Sequence, residues 1–395
     1  MDFALRLSVA AAGPWEYNKR FQVGPERPPV FHQRDRMLQY GMEVRPSCSA
    51  SVVGSFPHVA PQSICRAILD SLPRIPAWPQ LPNRSPFENM YTQYSEALPA
   101  VVFDERKQRI FFDTSTDYYP ALEKFYTHFL EEDFDYFKVS PEYALGLHAF
   151  VETAAETKLG DRTLFVKGQI TGPVSFGLTV TDENKRAILY HEELFDAVIK
   201  SCIMKARWQI RMLRQLHDRV ILMIDEPYMS AFGSGYVSLS RDQVIRSIGA
   251  LVEAIRGEEA VPGVHCCGNT DWSILMETGV QILNFDADNY LQGLLVLPPE
   301  SLKAFLGNGG VLAWGIVPTT EKIELATAAD VLKAMEENLD LLCGKGLERK
   351  ALVERSILTP SCGLGTLSET HAEKAMTLSA EAAEALKEKV LGNDG

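Results

Sequence analysis

The chain has 395 residues, with 39 Lys and Arg against 52 Asp and Glu, a formal charge of −13. A surface that acidic repels a phosphate backbone or an anionic leaflet, which argues against nucleic-acid and peripheral-membrane roles. Apolar residues make up 46% and charged residues 23%, a globular mixture that excludes wholesale disorder, and no apolar run approaches the roughly 20 residues of a membrane helix.

Leu7–Ala12 makes a poor secretory signal, since Asp2 occupies the would-be basic region and the apolar core is too short. Pro14, Pro25, Pro28 and Pro29 punctuate a stretch of little periodicity, read as an irregular N-terminal extension over residues 1–50. The folded body is then expected over 51–395. Seven scattered cysteines, an odd number in a long chain, fit a reducing cytoplasmic compartment better than a disulfide framework.

From Ser51 onward the pattern alternates. Short apolar runs at Ser51–Ser55, Thr163–Lys167, Val220–Asp225, Gly263–Cys267, Val280–Asp286, Val311–Ile316 and Ser356–Thr359 read as strands. Helical spacing marks Ala187–Leu216, Arg241–Arg256, Ala328–Leu342 and Ser368–Val390. Phe103–Phe112 reads as a hairpin across Asp104-Glu105-Arg106-Lys107. Such alternation over about 340 residues predicts an α/β fold with a parallel sheet. A single (β/α)8 TIM barrel with the N-terminal extension fits the count best. A doubly wound sheet is the alternative, but no G-x-G-x-x-G follows a strand.

In a barrel the chemistry sits at the C-terminal strand ends. Along Val264-His265-Cys266-Cys267-Gly268-Asn269, alternation puts His265 and Cys267 on one face and Cys266 on the other. Buried cysteines beside an ordinary histidine are the bland alternative. Asp286 closes a second apolar run, followed by Asp288, and Cys362 closes a third. Three strand ends could thus bring His265, Cys267, Asp286 and Cys362 together. Two thiolates, an imidazole and a carboxylate suit tetrahedral Zn2+. Asp225 ends a strongly apolar strand and reads either as a helix N-cap or as a carboxylate facing a substrate ammonium group. Gly54-Ser55 is a tight turn or a carboxylate-binding turn.

Gly54-Ser55-Phe56-Pro57, Thr171-Gly172-Pro173-Val174, Ile224-Asp225-Glu226-Pro227, His265-x-Cys267 and Ser361-Cys362-Gly363-Leu364 occur in the same order as in the C-terminal catalytic barrel of cobalamin-independent methionine synthase. The chain resembles that barrel from about Ser51 to Val390. His265–Thr270 with Asp286 is also similar to the coenzyme M methyltransferases of the uroporphyrinogen-decarboxylase-like superfamily. The resemblance implies zinc ligands at His265, Cys267 and Cys362, with the acidic ligand at Asp286, where the family usually has Glu, and Asp288 as its rival. It implies that Val53 and Ser55 hold the homocysteine carboxylate and Asp225 its amino group.

The family's second, N-terminal barrel and its His-Gly-Glu motif have no recognisable counterpart here. Glu142, or else Arg84, Glu88 and Tyr94, stand in for the latter. The chain therefore resembles the short core methionine synthases. The implied donor is methylcobalamin or a corrinoid protein, ranked ahead of methyl-tetrahydrofolate. Coenzyme M, a sulfonate without an ammonium group, suits Asp225 badly, and a uroporphyrinogen-decarboxylase-like reaction leaves the His and Cys residues unused.

Overall fold

The computed structural model of the protein describes residues 42–235 and 237–392. Most of the expected extension, residues 1–41, lies outside the described residues. The strands in chain order are β1 (Ser49–Ala50), β2 (Val101–Asp104), β3 (Arg109–Phe112), β4 (Val166–Thr171), β5 (Val220–Asp225), β6 (Val261–Cys266), β7 (Ile282–Asp286), β8 (Val311–Val317) and β9 (Ser356–Pro360). β2 and β3 form the expected antiparallel hairpin. The other seven form one parallel sheet in the order β1-β9-β8-β7-β6-β5-β4. This is an α/β, TIM-barrel-like architecture.

The sheet is curled, and residues 74–80 bond to both of its edges. On one side Gln80 N–H donates to Gly54 O (2.9 Å) and Phe56 N–H to Gln80 O (2.8 Å). On the other, Lys167 N–H donates to Pro76 O at 2.9 Å and Trp78 N–H to Lys167 O at 3.3 Å. Pro76 and Pro79 interrupt the apolar pattern of this stretch, which explains why it does not read as a strand.

Every residue of β4 to β9 is buried, as a parallel sheet covered on its outer face by helices requires. The covering helices include Glu192–Leu213, Arg241–Gly257, Ala328–Cys343 and Glu369–Leu391. The first begins five residues later than its periodicity suggests, with Glu192 and Glu193 in its first turn, where acidic groups suit the helix dipole. Capping boxes at Ser240–Gln243 and Thr327–Asp330 start the next two.

Two cores result. A large one lies between sheet and helices. A smaller one fills the concave interior with Val44, Ile75, Phe165, Ile221, Val261 and Ile282, among others, leaving a cavity of only about 10 Å³. Val44, contributed by residues 42–48, is fully buried there. The strand starts are thus filled with apolar side chains, and the strand ends are left for polar ones. No helix among the described residues is long and apolar enough to cross a membrane.

Two boundaries correct the sequence reading. The first strand is Ser49–Ala50 rather than Ser51–Ser55, and β4 runs from Val166 to Thr171, overlapping the run Thr163–Lys167 only at the end of that run. Lys167, Gln169 and Thr171 broke the apolar run, yet alternation turns all three toward the interior.

Candidate metal centre

Cross-strand register places Thr171, Asp225, His265 and Asn284 opposite one another on β4, β5, β6 and β7. Directly opposed residues in a parallel sheet share a face. The interior apolar residues Ile221 and Ile282 have the same parity, so this row projects inward at the strand ends. All four are buried.

His265 Nδ1 lies 2.7 Å from Asn284 Oδ1. Asn284 Nδ2 donates to Ala313 O (2.9 Å) and Thr359 Oγ1 (3.0 Å), which fixes the orientation of the amide. The imidazole therefore donates from Nδ1, leaving Nε2 free to bind a metal. Cys267 begins the loop after β6, and Cys362 lies in the loop after β9. Donor atoms of His265, Cys267 and Cys362 all fall within 4.8 Å of one another. Tetrahedral zinc with bonds of about 2.0–2.3 Å needs ligand atoms some 3.3–3.8 Å apart, a contraction small side-chain adjustments supply. The donor set fits zinc. Cys266, by contrast, turns away, with its Sγ 3.6 Å from Gly268 O.

The electrostatics match the geometry. Cys267, as hydrogen-bond partner, pushes the Cys362 thiol down to about 4, with His265 helping against the opposing effect of burial. Cys267 moves up for the reciprocal reason. Burial opposes charge on His265, but Cys362, Asp225 and Asn284 raise its pKa overall.

Asp286 does not join the three. Its oxygens accept from Asn289 N–H (2.9 Å) and Asn289 Nδ2 (2.8 Å). Its rival Asp288 pairs with Lys322 at 3.1 Å. Asp225 lies in the His265 row with Oδ1 buried and without a hydrogen-bond partner. Burial raises its pKa to about 6, opposed by His265 and Lys167. Thr171 Oγ1, its neighbour across the register, is buried and unpartnered too. The capping role belongs instead to Glu226, whose carboxylate accepts from Val174 N–H (3.0 Å), Ser175 N–H (2.7 Å) and Ser175 Oγ (2.6 Å) at the start of helix Pro173–Thr179.

The Val53-Gly54-Ser55 turn leans on the Cys362 loop. Leu364 N–H donates to Ser55 O at 2.8 Å. A Cβ on Gly363 would fall 2.1 Å from Ser55 Oγ, so any larger residue there would displace the Ser55 hydroxyl. Beside Ser361, whose Oγ lies 2.9 Å from Thr319 Oγ1, opens a cleft of about 530 Å³ lined by Thr319–Lys322, Thr366 and Leu367. Glu142 is exposed on the surface. Glu88 is buried, ion-paired with Arg84, and Tyr94 donates its hydroxyl to Gln169 O at 2.5 Å.

Sequence reasoning gave no role to Asn284, Lys167 or Thr171, the last named only as part of a motif. The signal for Asn284 was present, two residues before Asp286 on the same face of the run.

No family model and no curated protein matches the chain. Among solved structures it is similar to a B12-independent methionine synthase from Shewanella sp. W3-18-1 in complex with selenomethionine, at 18% identity and a TM-score of 0.42, over 61% of this chain and 67% of that one. It is also similar to an uncharacterized protein at 15% identity and a TM-score of 0.30, over 62% and 60%. Likeness this low says nothing about activity.

Proposed function

We propose that the chain is a zinc-dependent methyltransferase that methylates the thiol of homocysteine to give methionine. In this reading the curled sheet is a closed (β/α)8 barrel, with residues 74–80 as its eighth strand. One observation carries the proposal: a His and two Cys from two strand ends converge beside a buried carboxylate with an unpartnered oxygen.

A free alkyl thiol is mostly protonated at neutral pH and a poor nucleophile. Zinc, when bound, lowers the pKa of a coordinated thiol and so supplies the substrate sulfur as thiolate. His265, Cys267 and Cys362 would hold the ion, with Asn284 keeping the imidazole in the right tautomer. Asp286 is not among the residues whose donor atoms converge, so a bound ion would keep a position open for the substrate sulfur. Asp225 would pair with the substrate ammonium, and the Val53–Ser55 turn would receive its carboxylate. Fixing both ends of the amino acid aims its sulfur, an orienting effect that can contribute several kcal/mol to the rate. A sulfonate thiol without an ammonium group would leave Asp225 a buried, unpaired acid, which disfavours coenzyme M.

The test is methionine formation from homocysteine by zinc-loaded protein, with methylcobalamin and methyl-tetrahydrofolate supplied separately. Cys362→Ser should lose bound zinc and, with it, methyl transfer by about a hundredfold or more. Undiminished transfer after the metal is stripped would overturn the proposal.

A further inference from the structure

We propose that Lys167 is a positioning residue of this site: its buried ammonium fixes the Val53–Ser55 turn and sets a positive charge beside Asp225, so that recognition of both ends of an amino-acid substrate depends on it. The inference rests on the substrate reading above.

Lys167 projects from β4 into the interior and is 5% exposed. Its Nζ donates to Val53 O at 2.7 Å and to Gln169 Oε1 at 3.3 Å. Both acceptors are neutral, and among the described residues no carboxylate lies within ion-pair distance of it. An ammonium group buried on neutral partners is expensive, and apolar replacements of buried charges are often tolerated. Its placement therefore calls for a reason other than packing.

Two geometric facts supply one. Lys167 and Gln169 together brace the turn. A Cβ on Gly54 would fall 2.7 Å from Gln169 Cδ, Gln169 Nε2 is tied to Trp78 O at 3.0 Å, and Lys167 holds the carbonyl next door. That turn in turn touches the loop bearing Cys362 through Ser55. The second fact is placement: Asp225, with its unpartnered Oδ1, lies on the neighbouring strand and the same interior face, four residues beyond Ile221, the register partner of Lys167. A fixed cation on the face that carries a buried carboxylate offsets that carboxylate's desolvation cost before a substrate ammonium group arrives.

The experiment is a double-mutant cycle of Lys167→Met and Asp225→Asn, read as homocysteine affinity by calorimetry on zinc-loaded protein, with zinc content measured alongside. Lys167→Met should keep its zinc and bind homocysteine about tenfold or more weakly, with KM rising far more than kcat falls. In the Asp225→Asn background the same substitution should weaken binding much less, because the charge it supports is gone. Equal factors in both backgrounds would show a merely structural role and overturn the inference, as would unchanged affinity in the single variant. Should Lys167→Met fail to fold, Lys167→Gln removes the charge while keeping a donor for Val53 O, and the same comparison applies. Wild-type protein that binds no homocysteine would remove the proposed function and this inference with it. Binding by wild type that Lys167→Met fully retains would remove this inference alone.

Discussion

The same strands build the two ends of the sheet interior, and the ends differ in kind. At the strand starts the inward positions are apolar: Phe165, Ile221, Val261, Ile282 and Ile357 pack with Val44. Toward the strand ends the inward positions become Gln169, Thr171, Asp225, His265 and Asn284, all buried, and on β4 the change comes early, at buried Lys167. Backbone and alternation continue unchanged; only side-chain chemistry switches. Burying so many polar groups costs stability unless each has a partner. Asn284 and Gln169 have theirs, while Asp225 and Thr171 keep unpartnered oxygens. The first end is built to hold the fold and the second to hold something else.

The comparison breaks if the two ends respond alike to substitution. Ile282→Ala should cost about 2–5 kcal/mol of stability through the cavity it leaves, measured by urea unfolding. The surviving folded fraction should retain its metal stoichiometry. Loss of metal affinity without loss of stability would place Ile282 in the site and blur the division. Asn284→Ala should do the reverse. With its hydrogen bond gone, the His265 ring is free to rotate, and zinc affinity should fall about 10–100-fold while the protein stays folded. Competition with a chromophoric chelator measures this, and an affinity equal to wild type would mean that Asn284 serves only Ala313 and Thr359.

How much of this was legible in the residues follows from the same division. β5 to β9 stand out because apolar inward and outward faces make continuous hydrophobic runs, ended abruptly by Asp225, by Cys267 just beyond β6, by Asp286 and by the Cys362 loop. β4 was misread because its inward face turns polar at Lys167, near its start, so the run stops where the strand is just beginning. Residues 74–80 were hidden by two prolines whose carbonyls can still accept. His265 and Cys267 sharing a face followed from alternation alone, and their donor atoms lie within 4.8 Å of that of Cys362. What no local pattern could tell was that Asn289 occupies the oxygens of Asp286, or that Glu226 rather than Asp225 caps a helix. Those depend on which loop folds back onto which strand end.

The smallest predicted effect concerns Lys205, a buried charge that lies outside the interior. It sits on helix Glu192–Leu213 with no exposed surface, its Nζ 3.4 Å from Phe137 O. Burial pushes its pKa down to about 8, against the pull of Glu96 and Cys202. In the unfolded chain a lysine titrates near 10.4. Between these values the unfolded state holds a proton that the native state has released, so this group makes stability rise with pH from about 8 to 10.5. Buried thiols such as Cys48, with a raised pKa, act in the opposite sense, but they are common to wild type and variant and cancel in a difference. The stability of wild type relative to Lys205→Met should therefore grow by about 1–2 kcal/mol between pH 8 and pH 10, as urea unfolding at the two pH values would read. Homocysteine KM at neutral pH should stay at the wild-type value. A flat difference would mean that water reaches the Lys205 ammonium. A shifted KM would carry the functional region past the sheet into the helix layer, and the contrast between the two ends would no longer mark its boundary.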